Sequence, residues 1–145
     1  MNRYTFDEIE IGMEDAFAVT ITEEMMETFR SLTGDVNPLH CDDGFAKEKG
    51  FDGKVAYGML TASFLSTMAG VYLPGERSLI QSVEVKFSKP VFPGDTISFC
   101  GKVSEKNETF QFLTLKVTGT VMDCEKEERK GTKVLKAVMQ IGVMK

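Results

Sequence analysis

The stretch from Val55 to Gly75 carries no charged side chain, and any fold this chain adopts must find a place for it. From about Tyr57 to Tyr72 its large residues, Met59, Leu60, Phe64, Leu65, Met68 and Val71, fall on nearly all sides of a helix instead of along one stripe. That is the pattern of a helix that is enclosed, not laid on a surface. A membrane span is the competing solution. Thr61, Ser63, Ser66 and Thr67, with Gly58 and Gly70, make a poor one, because hydroxyls and helix-weakening residues would face hydrocarbon. A buried helix is predicted, and something must wrap it.

The second half supplies the wrapping. Val83, Val85 and Phe87 alternate with Ser82, Glu84, Lys86 and Ser88, and Ile97, Phe99, Gly101 and Val103 alternate likewise after the turn Phe92-Pro93-Gly94-Asp95, as strands with one covered face do. Phe110 and Phe112, then Leu113, Leu115, Val117 and Val121, predict a third strand, and the change of phase between Phe112 and Leu113 predicts a bulge. Asp123 to Gly131 reads as a charged hairpin tip, and Leu135, Ala137, Met139, Ile141 and Val143 as the last strand.

Before the buried helix, Phe17 to Thr22 predicts a short strand. Thr22 followed by Glu23 and Glu24 predicts an N-cap, Met25, Phe29 and Leu32 the inner face of a surface helix, and Gly34 its end. Asp35 to Gly53, interrupted by Pro38, Gly44, Gly50 and Gly53, reads as a loop with room for one short helix around Phe45 to Lys49. The whole, residues 1–145, is expected to be one α+β domain, an antiparallel sheet wrapped around a central helix.

Charge and cysteine content narrow the function classes. Seventeen basic against twenty-two acidic residues leave a formal charge of -5, so the surface as a whole repels nucleic acid and anionic lipid. Cys41, Cys100 and Cys124 are an odd number without CxxC spacing, which suits reduced thiols better than a disulfide framework. With one histidine and scattered cysteines, no metal site is expected. The N-terminal MNRYTFDEIEIG has neither a basic lead nor an apolar core of leader length, so a cytoplasmic protein is expected.

The most specific signal is Phe29-Arg-Ser-Leu-Thr-Gly-Asp35-Val-Asn37-Pro38-Leu-His40, with Ala46 six residues further on. It resembles the signature of the MaoC-like, (R)-specific enoyl-CoA hydratase family: G-D-x-N-P-aliphatic-H preceded by an aromatic and a small residue and followed by another small one. The resemblance continues in Tyr57-Gly58-Met59-Leu60-Thr61-Ala62-Ser63 and in Val85-Lys-Phe-Ser-Lys-Pro90-Val-Phe-Pro93-Gly94-Asp95, together roughly the central half of the chain. It implies a hot-dog fold, a homodimer or dimer-based oligomer, and reversible hydration of trans-2-enoyl-CoA to (R)-3-hydroxyacyl-CoA, with coenzyme A as part of the substrate and no other cofactor. One position departs, because the family commonly has histidine where this chain has Tyr57. That leaves open whether the tyrosine ring enters an acyl tunnel or stands at its rim.

Adding water across an enoyl thioester needs one group to take a proton as water attacks C3 and another to deliver one to C2. Asp35 and His40, separated by a turn containing Asn37 and the rigid Pro38, could converge on one small space, where positioned acid and base contribute roughly 10²- to 10⁴-fold. Asn37 could fix the loop or the water, and each of these residues also suits a plain turn. Negative charge develops on the thioester oxygen. Gly58, at the predicted helix start, offers an N–H at the positive end of the dipole and by resemblance is the oxyanion donor; the other reading is that it only allows close packing. Ser63 matches the family's small hydroxyl and could hold the Asp35 loop or simply bond back to its own helix. Lys86 and Lys89 could meet coenzyme A phosphates or be merely solvated.

Three rivals remain at this point: dehydration of 3-hydroxyacyl thioesters on an acyl carrier protein, a non-catalytic acyl-thioester-binding subunit, and a thioesterase. The presence of both Asp35 and His40 weighs against the second, and release of free thiol would mark the third.

Overall fold

The computed structural model describes residues 1–145. Its strands are β1 (Glu14–Thr20), β2 (Ser78–Phe87), β3 (Thr96–Asn107), β4 (Phe112–Asp123) and β5 (Lys133–Val143), and its helices α1 (Glu23–Thr33), α2 (Asp43–Glu48) and α3 (Gly58–Thr67). The strands form one antiparallel sheet in the order β1-β3-β4-β5-β2. Alternation decides the register. Ile97, Gly101 and Val103 of β3 stand opposite Val121, Val117 and Leu115 of β4, and Leu115 and Val117 in turn oppose Met139 and Ala137 of β5. These apolar partners share one buried face, the cross-strand packing that stabilises a sheet.

α3, continued by a π turn over Met68–Tyr72, lies on that face through Leu60, Ala62, Leu65, Met68 and Ala69. Gly101 makes the approach possible, since a Cβ there would stand 2.7 Å from the Met68 sulfur. The helix is not enclosed on all sides, however. Met59, Ser63 and Ser66, at i, i+4 and i+7, are exposed, and the open stripe faces the same side as β2. No helix in the chain is long and apolar enough to cross a membrane.

Other expectations are corrected in detail. β1 begins at Glu14 and ends at Thr20, short of Thr22, whose side chain caps α1 as expected by accepting the Met25 N–H at 3.1 Å. Met26, with half-buried Met25 and Phe29, forms the inner face of α1, and Leu32 is 81% exposed because the helix has turned it outward. The bulge lies in β3 at Ser104, where the register shifts between Val103 and Glu105, and not at Phe112–Leu113. Phe110 belongs to a turn, its N–H donating to Asn107 Oδ1, so the change of phase marks a strand start. β2 is covered only at Val85, which packs half-buried against the core, while Leu79, Ile80, Val83 and Phe87 are exposed.

The charged tip does more than turn the chain. Arg129 grips Asp95 with two bonds, Nη1 to Oδ1 at 2.9 Å and Nη2 to Oδ2 at 2.7 Å, and donates a third to the Pro90 carbonyl. Asp95 is buried and also accepts the Phe92 N–H. The clamp pins the link between β2 and β3, and that link's Val91 carbonyl receives the Ala56 N–H at 2.7 Å. Arg129→Ala leaves a buried carboxylate without its partner and is expected to cost about 3 kcal/mol, read from the denaturant midpoint. A loss below about 0.5 kcal/mol, the scale of an exposed pair, would contradict the clamp.

Candidate active site

A chain of small local caps shapes the segment between α1 and α2. Gly34 ends α1 in the left-handed region at φ 73°, a conformation that suits glycine. Asp35 Oδ1 accepts the Asn37 N–H at 3.0 Å, and Asn37 Oδ1 accepts the Leu39 N–H at 3.0 Å, starting a 3-10 turn over Pro38–His40. Asp42 then caps α2 by accepting the Phe45 N–H. Each turn is closed by an Asx side chain, the residue type that competes best for nearby backbone N–H groups.

His40 is tied from outside the loop. Its Nδ1 lies 2.7 Å from the Val55 carbonyl oxygen. A carbonyl only accepts, so Nδ1 carries the hydrogen, and in the neutral ring Nε2 has its lone pair free. Val55 and Ala56, held by Val91, run directly into Tyr57 and the start of α3. The histidine and the helix N-terminus are therefore fixed to one strip of backbone.

Tyr57 lines the large cleft between α3 and β2. Its ring is buried, packed against Phe29 at 4.8 Å and His40 at 4.3 Å between centroids, and its hydroxyl donates to the Asp35 carbonyl at 2.7 Å. Burial pushes the phenol up to about 12, so it is a neutral donor across the physiological range. Gly58 follows as the first residue of α3, where N–H groups have no partner within the helix. The Phe87 ring covers it, 3.4 Å from where a Cβ would be.

Asp35, His40, Gly58 and Ser63 meet at the wall of one cleft of about 970 Å³, whose remaining lining is mostly apolar and comes from α3 and β2, with Phe29 and Thr33 of α1, Tyr57 and Met139 of β5. A second cleft of about 410 Å³ shares His40, Gly58 and Phe87 and reaches Lys89. Lys86 is in neither: it is exposed, with its Nζ 4.0 Å from Glu84. Ser63 donates to the Leu60 carbonyl at 2.6 Å and so bonds back to its own helix. Asn37 is spent on the loop. A third, polar hollow near Asp52 and Lys126 is smaller, about 310 Å³, and its cations Lys54, Lys126 and Arg129 are already paired with Glu23, Asp52 and Asp95.

Residues 8–125 match the sequence profile of the family described as MaoC like domain. The chain belongs to the MaoC-like domain family. Over 116 residues it is 34% identical to the (R)-specific enoyl-CoA hydratase of Rhodospirillum rubrum, which covers 80% of this chain and 81% of that one. Over 100 residues it is 31% identical to the 3-hydroxybutyryl-CoA dehydratase of Methylorubrum extorquens, covering 69% and 64%. Among solved structures, the (R)-hydratase from A. caviae involved in PHA biosynthesis superposes with a TM-score of 0.85 at 26% identity, over 94% of this chain and 98% of that one. The five-stranded antiparallel sheet with its central helix is thus a hot-dog fold.

In this MaoC-like chain several contributors to the site carry no sequence signal of their own. The Val55 carbonyl acts through its backbone. Phe87 reads in the sequence as one more apolar strand residue, and only its place opposite Gly58 makes it part of the cleft. Cys41, whose sulfur lies 3.6 Å from the Tyr57 hydroxyl, is hidden among residues with stronger chemistry.

Proposed function

We propose that this protein catalyses reversible hydration of trans-2-enoyl-CoA to (R)-3-hydroxyacyl-CoA, using Asp35 and His40 as a coupled acid/base pair. The observation that carries the reading is the convergence of Asp35, His40 and the N-terminus of α3 on one largely apolar cleft. The named activities of the hydratase and dehydratase relatives support it. Water attacks C3 and loses a proton to the pair, while C2 gains one from it. With Nδ1 committed to Val55, Nε2 of His40 accepts in one direction and donates in the other. The two groups act as a unit. Charge on the thioester oxygen is met by the Gly58 N–H, a donor of a kind typically worth roughly 3 to 4 kcal/mol. Coenzyme A enters only as the substrate's carrier, and the apolar lining takes the acyl chain.

The reverse dehydration uses the same groups, as the relationship to the 3-hydroxybutyryl-CoA dehydratase leads one to expect. Asp35→Asn and His40→Gln should each lower the rate of crotonyl-CoA hydration, followed as loss of enoyl-thioester absorbance, by at least about 100-fold. The double variant should lose little more than the worse single one. Near-normal turnover in either single variant would overturn the dyad.

The working unit in this proposal is a homodimer. β2 stands at the sheet edge with one side unpaired, and a long exposed apolar edge is a liability that pairing with a second copy removes. Leu79, Ile80, Val83 and Phe87 are exposed on it, and three of them line the large cleft, so a partner joined there would wall the site. Sedimentation should give a dimer at micromolar concentration; a fully active monomer would contradict this.

A further inference from the structure

We infer that Tyr57 is a positioning residue that holds both members of the acid/base pair from a single side chain, because its phenol oxygen gathers the two ends of the Asp35–Cys41 loop while its ring lies against His40. The inference rests on the hydratase reading for its kinetic consequence, but its geometry is independent of that reading.

Four contacts carry it. The hydroxyl has one hydrogen, and at 2.7 Å it goes to the Asp35 carbonyl oxygen. The 3.6 Å contact with Cys41 Sγ then has the thiol donating to the phenol oxygen. Residues 35 and 41 are thereby drawn to one atom, and the loop between them is closed at its base. The ring, tilted 33° from the imidazole at 4.3 Å between centroids, fixes the plane in which His40 hangs from Val55. Phe29 backs it on the α1 side. The bond to Asp35 uses the main-chain carbonyl, and with Oδ1 on the Asn37 N–H it leaves Oδ2 for chemistry. A phenol fits this task because it is long enough to cross under the loop and stays uncharged when buried.

Pre-set geometry of this kind affects the rate more than the binding, since small displacements of reacting groups cost up to about 100-fold. Tyr57→Phe removes the tether to the Asp35 and Cys41 ends and keeps the ring. It should fold as the wild type does, with kcat for crotonyl-CoA reduced about tenfold and KM changed less than about twofold. Tyr57→Ala removes the ring too and should lose about 100-fold in kcat, so that phenylalanine partly rescues alanine.

A second readout does not depend on activity. His40 is the only histidine in the chain, so in untagged protein its ring ¹⁵N signals need no assignment. In the wild type and in Tyr57→Phe they should show one tautomer, with hydrogen on Nδ1; in Tyr57→Ala they should shift toward a tautomer mixture. Tyr57→Phe with kcat within about twofold of an active wild type, or Tyr57→Ala with unchanged His40 signals, overturns the inference. A wild type inactive on every enoyl thioester instead overturns the proposed function, and the imidazole signals still decide the positioning role.

Discussion

Everything at the site depends on how α3 is seated. Its uncharged length must lie dry against β3, β4 and β5, and Gly101 lets Met68 reach the sheet closely enough for that. Seating the helix body fixes where its N-terminus emerges, beside the Asp35–Cys41 loop and under Phe87. The same packing that removes apolar surface from water, roughly 25 cal/mol per Å², therefore aims unpaired N–H groups at the cleft. Stability and function share one element, yet they use different sides of it. The inner face is filled, while Met59, Ser63 and Ser66 remain open.

From that helix a line of interactions runs outward to the surface. Arg129 holds Asp95, the link they stabilise presents Val91 to Ala56, and Val55 next to it receives the His40 imidazole. On the other side Tyr57 receives the loop. The histidine is thus set by backbone and buried groups, and its orientation does not rely on exposed charges. Exposed pairs such as Lys102 with Glu14 are screened and contribute little by comparison.

Much of this is legible in the sequence wherever periodicity or a local cap writes it. The caps at Thr22, Gly34 and Asn37, the strand alternation and the helix around Leu60 all follow from neighbours a few residues apart. What the sequence hides is long-range. Asp95 and Arg129 are far apart in the chain, and nothing in a charged hairpin tip says which carboxylate it will reach. The ring of Tyr57 reads as tunnel or rim, because both suit an aromatic with a polar tip; its burial against α1 and the loop is not written nearby in the chain. β2 alternates like a covered strand yet is mostly exposed in the single chain apart from Val85, since alternation records that a face is covered and not by what. The bulge at Ser104 escapes notice because its register shift is a relation between two strands.

The central claim is that Asp35, His40 and the Gly58 N–H surround the same reacting atoms. A crystal structure of the Asp35→Asn protein with crotonyl-CoA bound tests it most directly. The account predicts the thioester oxygen within hydrogen-bond reach of the Gly58 N–H, with C3 and C2 lying between residues 35 and 40 at roughly 3 to 4 Å from their polar atoms and the acyl chain in the apolar cleft. A thioester bound in the hollow near Asp52 and Lys126, or one lying in the cleft with its C2–C3 bond out of reach of both side chains, would contradict it.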